Sequence, residues 1–133
     1  MKYLDANIFI YAFIDVGDKG NRARLLLKKI REGKEVAATS ALTFDEVFWI
    51  VKKEKGFDNA LKACKALLEM PNLICFDVND EVIWRAYELI KRYRLDPRDS
   101  IHISCALTHG VFTLISEDKD FDRVKEIERK GLK

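Results

Sequence analysis

The sequence has no glutamine, only two histidines, three cysteines, and no apolar run near the roughly 20 residues that span a bilayer. The run Ile8-Phe9-Ile10-Tyr11-Ala12-Phe13-Ile14 stops at Asp15. Lys2 is the only charge before Asp5, and Asp5 itself interrupts the first apolar stretch, which argues against a signal peptide. A cytoplasmic protein without a membrane partner is expected. Cys64, Cys75 and Cys105 are odd in number and form no CxxC pair, so they are expected to be core thiols in a reducing compartment. His102 and His109 add no zinc-ligand spacing. Neither a Walker lysine loop nor a dinucleotide glycine pattern is present. Missing glutamine beside abundant Lys and Glu is compatible with life at high temperature.

What remains is ordinary for a folded protein. The chain has 133 residues, 48% of them hydrophobic and 11% aromatic, enough for one domain spanning 1–133 with its own core. Net charge is +2, from 24 Lys and Arg against 22 Asp and Glu. Setting four acids aside as metal-bound raises the balance to +6, which suits a polyanion but equally describes a soluble, mixed-charge surface.

Hydrophobic spacing gives the order of elements. Lys2-Tyr3-Leu4 reads as a strand ending at Asp5, with Asn7 capping a helix from Ile8 to Ile14. Asn21 caps a helix carrying Leu25, Leu26 and Ile30, stopped by Gly33. Val36 to Thr39 is a strand covered on both faces. The next helix starts at Ser40 or Thr43, and Thr43 with Glu46 matches a capping box. A helix from Asp58, a strand Leu73 to Phe76 and a helix from Val82 to Tyr93 follow. Asp99 caps a helix to Leu107, and Phe112 to Ile115 is the last strand. In the charged tail, Val124, Ile127 and Leu132 are the packing positions. Strands alternating with helices predict an α/β fold around a largely parallel sheet.

In such sheets the strand ends and the following helix starts gather on one edge. Asp5 and Asp118 directly follow strands, while Glu46 and Asp99 lie near helix starts, so all four can converge. Each also has a simpler role. Asp99 can be only a cap, Glu46 half of a capping box, and Asp118 part of a solvated turn. Asp5 is hardest to dismiss, because an unpaired charge in an apolar stretch is costly to bury. Clustered carboxylates repel each other unless a cation joins them, and oxygen ligands favour one or two Mg²⁺ or Mn²⁺ ions. Such ions activate water and offset charge on a phosphodiester. A calcium loop from Asp118 fails, with Arg123 in place of the glycine and Arg129 in place of the bidentate acid. Asp5-Ala6-Asn7 lacks the second aspartate of an aspartyl-phosphatase start.

At these residues the chain resembles the PIN domain family, and within it the VapC-like toxin ribonucleases. The resemblance runs through Tyr3 to Ile8, Thr39 to Val47, Arg98 to Leu107 and Ile115 to Phe121, covering essentially the whole chain in order. It implies a three-layer α/β/α sandwich with a central, mostly parallel sheet of four or five strands. It also implies a Mg²⁺- or Mn²⁺-dependent endoribonuclease whose catalytic and metal residues are Asp5, Glu46, Asp99 and Asp118, leaving a 5′ phosphate and a 3′ hydroxyl. Asn7 and Ser116 match polar positions supporting the metal shell. Asp96 is an extra acid that could displace Asp99, and Asp120 could share work with Asp118. Arg98, Lys119 and Arg123 stand beside the acids, as phosphate contacts or as ordinary solvated charges. A homodimer and an antitoxin partner are further implications.

Other readings are a PIN nuclease of RNA processing or decay without a toxin role, and a non-catalytic RNA-binding subunit. Phe44, Phe48, Trp49, Phe57 and Trp84 are many large apolar groups for this size, and either fill the core or form a twofold interface.

Overall fold

Short apolar runs alternate with longer segments of helical spacing, and the chain folds accordingly. The computed structural model describes residues 1–133. The strands are β1 (Lys2–Leu4), β2 (Ala37–Ser40), β3 (Leu73–Phe76), β4 (Thr113–Ile115) and β5 (Glu128–Lys130). The helices are α1 (Ala6–Ile14), α2 (Asp18–Arg31), α3 (Ala41–Lys55), α4 (Phe57–Glu69), α5 (Asp80–Tyr93) and α6 (Pro97–Thr108), with a 3₁₀ helix at Lys119–Arg123. The five strands lie in the order β3-β2-β1-β4-β5, and every pairing is parallel. Parallel neighbours need long crossovers, which the helices provide.

Alternate residues of each strand serve opposite faces of the sheet. Leu4, Ala37 and Ile115 join a core with Ile8, Phe9, Leu27, Val47 and Leu67 from α1 to α4. Tyr3, Ala38 and Leu114 join a second core with Val82 and Leu89 of α5 and Ile103 of α6. Helices therefore cover both faces, giving the expected α/β/α layering with a wholly parallel sheet of five strands.

Several local expectations are corrected. α1 begins at Ala6, so Asn7 lies inside the helix, and Asp5 occupies the cap position without a side-chain cap bond. Asn21 is likewise interior to α2, which Gly17 precedes. The capping box does not form: α3 starts at Ala41, and the buried Thr43 hydroxyl pairs with Thr39 Oγ1 at 2.6 Å. α6 starts at Pro97 after Asp96, which puts Asp99 in the first turn instead of the cap. Strand β5 was not anticipated, because Glu128-Arg129-Lys130 has no apolar pattern; it is an edge strand held by backbone bonds to β4. Val124, Ile127 and Leu132 around it are buried, as expected. Cys64 and Cys105 are buried thiols, whereas Cys75 is exposed because it sits on the outermost strand β3. No helix is long and apolar enough to cross a membrane.

Candidate metal centre

The strand order places a switch point at β1. From β1 the chain moves one way to β2 and β3, then returns to lay β4 on the other side. Loops leaving strands on either side of a switch point diverge and open a crevice, the usual location of sites in such sheets. Leu4 and Ile115 are in register, so Asp5 and Ser116 emerge side by side at that crevice. The Asp5 backbone N–H donates to the Ile115 carbonyl at 3.1 Å, extending the ladder by one bond.

Asp5 is only 4% exposed, and Ser116 is fully buried beside it. The Ser116 hydroxyl donates to Asp5 Oδ2 at 2.8 Å and accepts from the Asp118 backbone N–H at 3.0 Å. Asp118 in turn caps the 3₁₀ helix by accepting from the Asp120 N–H at 2.9 Å. One serine therefore ties the acid after β1 to the acid after β4.

Glu46 extends from the second turn of α3. Its Oε1 lies 2.5 Å from His102 Nε2, and His102 Nδ1 lies 2.6 Å from the Tyr3 hydroxyl. Tyr3 and His102 are both fully buried. Sequence reasoning passed over His102, having weighed it only as a zinc ligand. The usable signal was its place three residues after Asp99, on the same helix face and amid apolar neighbours, where an imidazole needs polar partners.

The electrostatics reflect crowding of like charge. Burial pushes the Asp5 carboxyl above its usual range, with His102 and the Ser116 hydroxyl opposing and Glu46 adding to the rise. Asp99 is pushed up to about 6, first by burial and then by the charges of Asp5 and Asp118. Asp5, Asp99 and Asp118 take part in none of the protein's ion pairs. Arg129 pairs with Asp122 at 2.7 Å, and Arg123 donates to the Asp120 and Tyr93 carbonyls. As arranged, no three acid, histidine or cysteine side chains close around a single point. The donor set is nonetheless oxygen-rich, mutually repelling and unneutralised, which fits a hard divalent cation by its chemistry.

Among the other residues singled out in the sequence, Asn7, Asp96, Arg98, Lys119, Asp120 and Arg123 are all exposed around this edge or its loops. Asp96 adds a further negative charge near Asp99. A pocket of about 810 Å³ holds none of the four acids; Lys2, Arg22, Lys29, Arg129 and Lys130 are among its lining residues.

Comparison with known proteins agrees with the fold. A family model described as PIN domain matches residues 2–127. No curated protein sequence matches the chain. Among solved structures, VapBC2 from Rickettsia felis bound to a promoter DNA fragment is 22% identical, with both chains covered in full and a TM-score of 0.72. VapC20 from Mycobacterium tuberculosis, described as a Sarcin-Ricin loop cleaving toxin, is 15% identical over 92% of this chain and 93% of its own, with a TM-score of 0.76. DNA-bound VapBC from Salmonella typhimurium is 14% identical over 99% and 98%, also with a TM-score of 0.76. At such identities the likeness concerns the fold.

Proposed function

The chain belongs to the PIN domain family, and from that premise we propose that it is a divalent-cation-dependent endoribonuclease, one nuclease domain over 1–133, acting as the toxin of a type II toxin–antitoxin pair. The observation carrying this reading is the uncompensated charge at the switch point. Asp99 is raised to about 6 by burial and by Asp5 and Asp118, with no cationic side chain paired to any of the three. Burying repelling carboxylates costs stability, and a bound cation offsets that cost.

Asp5, Glu46, Asp99 and Asp118 would hold one or two Mg²⁺ or Mn²⁺ ions, with Ser116 fixing Asp5 and with Asn7, Asp96 and Asp120 at the margin. When bound, the cation supplies a lowered water pKa and charge stabilisation on the scissile phosphate. The chain's own residues set the rest. Ser116 orients one Asp5 oxygen, and the β1 and β4 ends fix the spacing of the flanking acids. Arg98, Lys119 and Arg123 are exposed and available to the RNA backbone.

RNA as substrate is favoured by the description of the M. tuberculosis neighbour as a Sarcin-Ricin loop cleaving toxin. A protein antitoxin is favoured by neighbours that are toxin–antitoxin complexes, including one from Klebsiella pneumoniae. Trp49, Phe57 and Trp84 are 58%, 55% and 70% exposed, so the core does not use them, and a homodimer would cover part of this surface.

The test is cleavage of total RNA by purified protein with Mn²⁺, with chelator, and with Asp5→Asn. Cleavage dependent on Mn²⁺ and lost in the variant is expected. Full activity in chelator or in the variant would remove the reading. Growth arrest on expression, relieved by a co-expressed neighbouring small protein, separates a toxin from a nuclease of RNA processing.

A further inference from the structure

Three of the four acids sit on elements that one hydrogen-bonded chain joins. Tyr3 is on β1, two residues before Asp5; His102 is on α6, one turn after Asp99; and Glu46 belongs to α3. We propose that His102 is a positioning residue, held by Tyr3 and donating from Nε2 to Glu46, so that the second oxygen of Glu46 is presented to a divalent cation. This inference rests on the metal reading above and adds a residue to it.

The direction of the protons follows from the partners. Tyr3 is fully buried, and a phenol holds its hydrogen at neutral pH, so its hydroxyl can donate. Of the hydroxyls near it, Thr39 donates to the Leu4 carbonyl at 3.0 Å and pairs with Thr43, and the one side-chain atom within hydrogen-bond geometry of the phenol is His102 Nδ1. The phenol therefore donates to His102 Nδ1, the acceptor 2.6 Å away. A carboxylate oxygen only accepts, so the hydrogen of the second bond is carried on His102 Nε2 and points at Glu46 Oε1, 2.5 Å away. Each bond in the chain has one donor and one acceptor.

The effect falls on Glu46. Its only hydrogen bond is the one to His102, through one oxygen; the other is left for a ligand. A glutamate has three side-chain torsions, and an imidazole locked at both nitrogens restricts them to one arrangement. Outer partners of this kind orient a ligating carboxylate, and their removal typically weakens metal binding about 10- to 100-fold. A histidine serving the core alone would gain equally from backbone carbonyls. Here both ring nitrogens are committed to side chains that lead to the acid cluster.

The test combines calorimetric titration with MnCl₂ and nitrogen NMR of the imidazole in metal-free protein. Wild type is expected to show His102 protonated at Nε2 and bare at Nδ1. His102→Leu should bind Mn²⁺ about 10- to 100-fold more weakly, and His102→Gln, whose amide can donate from a similar position, should stay within about threefold of wild type. Tyr3→Phe, a smaller change that keeps the ring, should weaken binding several-fold while the circular dichroism spectrum is unchanged. Wild-type affinity in His102→Leu, or a proton found on Nδ1 of the wild-type ring, would overturn the inference and leave the metal reading standing. If the leucine variant does not fold, Tyr3→Phe and the NMR tautomer decide the question. Absence of Mn²⁺ binding by wild type would instead remove the metal reading, and this inference with it.

Discussion

Ser116 Oγ lies 2.8 Å from Asp5 Oδ2, although 111 residues separate them in the chain. The contact exists because β1 and β4 are parallel neighbours in register at Leu4 and Ile115, so that the next residue of each strand faces the same crevice. A small side chain with a hydroxyl is what that place requires. It donates to one oxygen of a buried carboxylate and also receives the Asp118 N–H.

Ser116→Ala should therefore cost about 1–2 kcal/mol, because a buried carboxylate oxygen and a backbone N–H both lose their partner. Mn²⁺ binding should weaken roughly tenfold through the loss of Asp5 orientation. Urea unfolding and calorimetry measure the two effects. A variant unchanged in both would show that the contact contributes nothing.

Asp99 gives a pH dependence of known sign. Its folded pKa of about 6 stands above the ordinary value of 3.8. A raised acid contributes stability in full below its unfolded pKa and loses it as pH rises through its folded pKa. In chelator, the contribution of Asp99 should thus fall between about pH 4 and 7, and Asp99→Asn should flatten that part of the profile. With solvent screening of a partly exposed group allowed for, about 1–2 kcal/mol is at stake. Thermal melts of both proteins across this range provide the check, and parallel profiles would contradict it.

Gly20→Ala should cost about 3 kcal/mol, with no direct effect on the acids. A Cβ at Gly20 would lie 2.0 Å from the Asp15 carbonyl oxygen, which is backbone and cannot rotate away. The Gly20 N–H also donates to Asp15 Oδ2 at 2.6 Å, so the turn between α1 and α2 is held closed from both sides. The midpoint of urea unfolding reads the loss directly.

If the exposed aromatic surface is a twofold interface, Trp49→Glu combined with Trp84→Glu should yield a 15.4 kDa species in sedimentation, against twice that mass for wild type. A wild type that sediments at 15.4 kDa would exclude the dimer.

Much of the architecture was legible because the central strands β1, β2 and β4 are largely buried and the first four strands are short, mostly apolar runs. Asp5 drew attention for a physical reason: a charge between Leu4 and Ile8 has to be stabilised by something. Glu46 was misread locally, since Thr43 and Glu46 have the spacing of a capping box, whereas Thr43 turns to Thr39 and Glu46 to His102, 56 residues away. Spacing along one helix carries no information about a partner on another. The same limit hid β5, whose residues are set by backbone pairing at an edge and not by an apolar face.

The strand order also governs when this site can exist. β1 precedes the other strands and stands in the middle of the sheet, yet one of its two neighbours, β4, is completed only at Ile115. Folding on the ribosome proceeds from the N-terminus, so the edge beside Leu4 stays open until β4 has been made. A chain abandoned before that point carries Asp5 and Glu46 but neither Ser116 nor Asp118, and presents an unpaired strand to proteases. The meeting of Asp5 with Ser116 and Asp118 therefore waits on the strand that is paired to β1 from far along the chain.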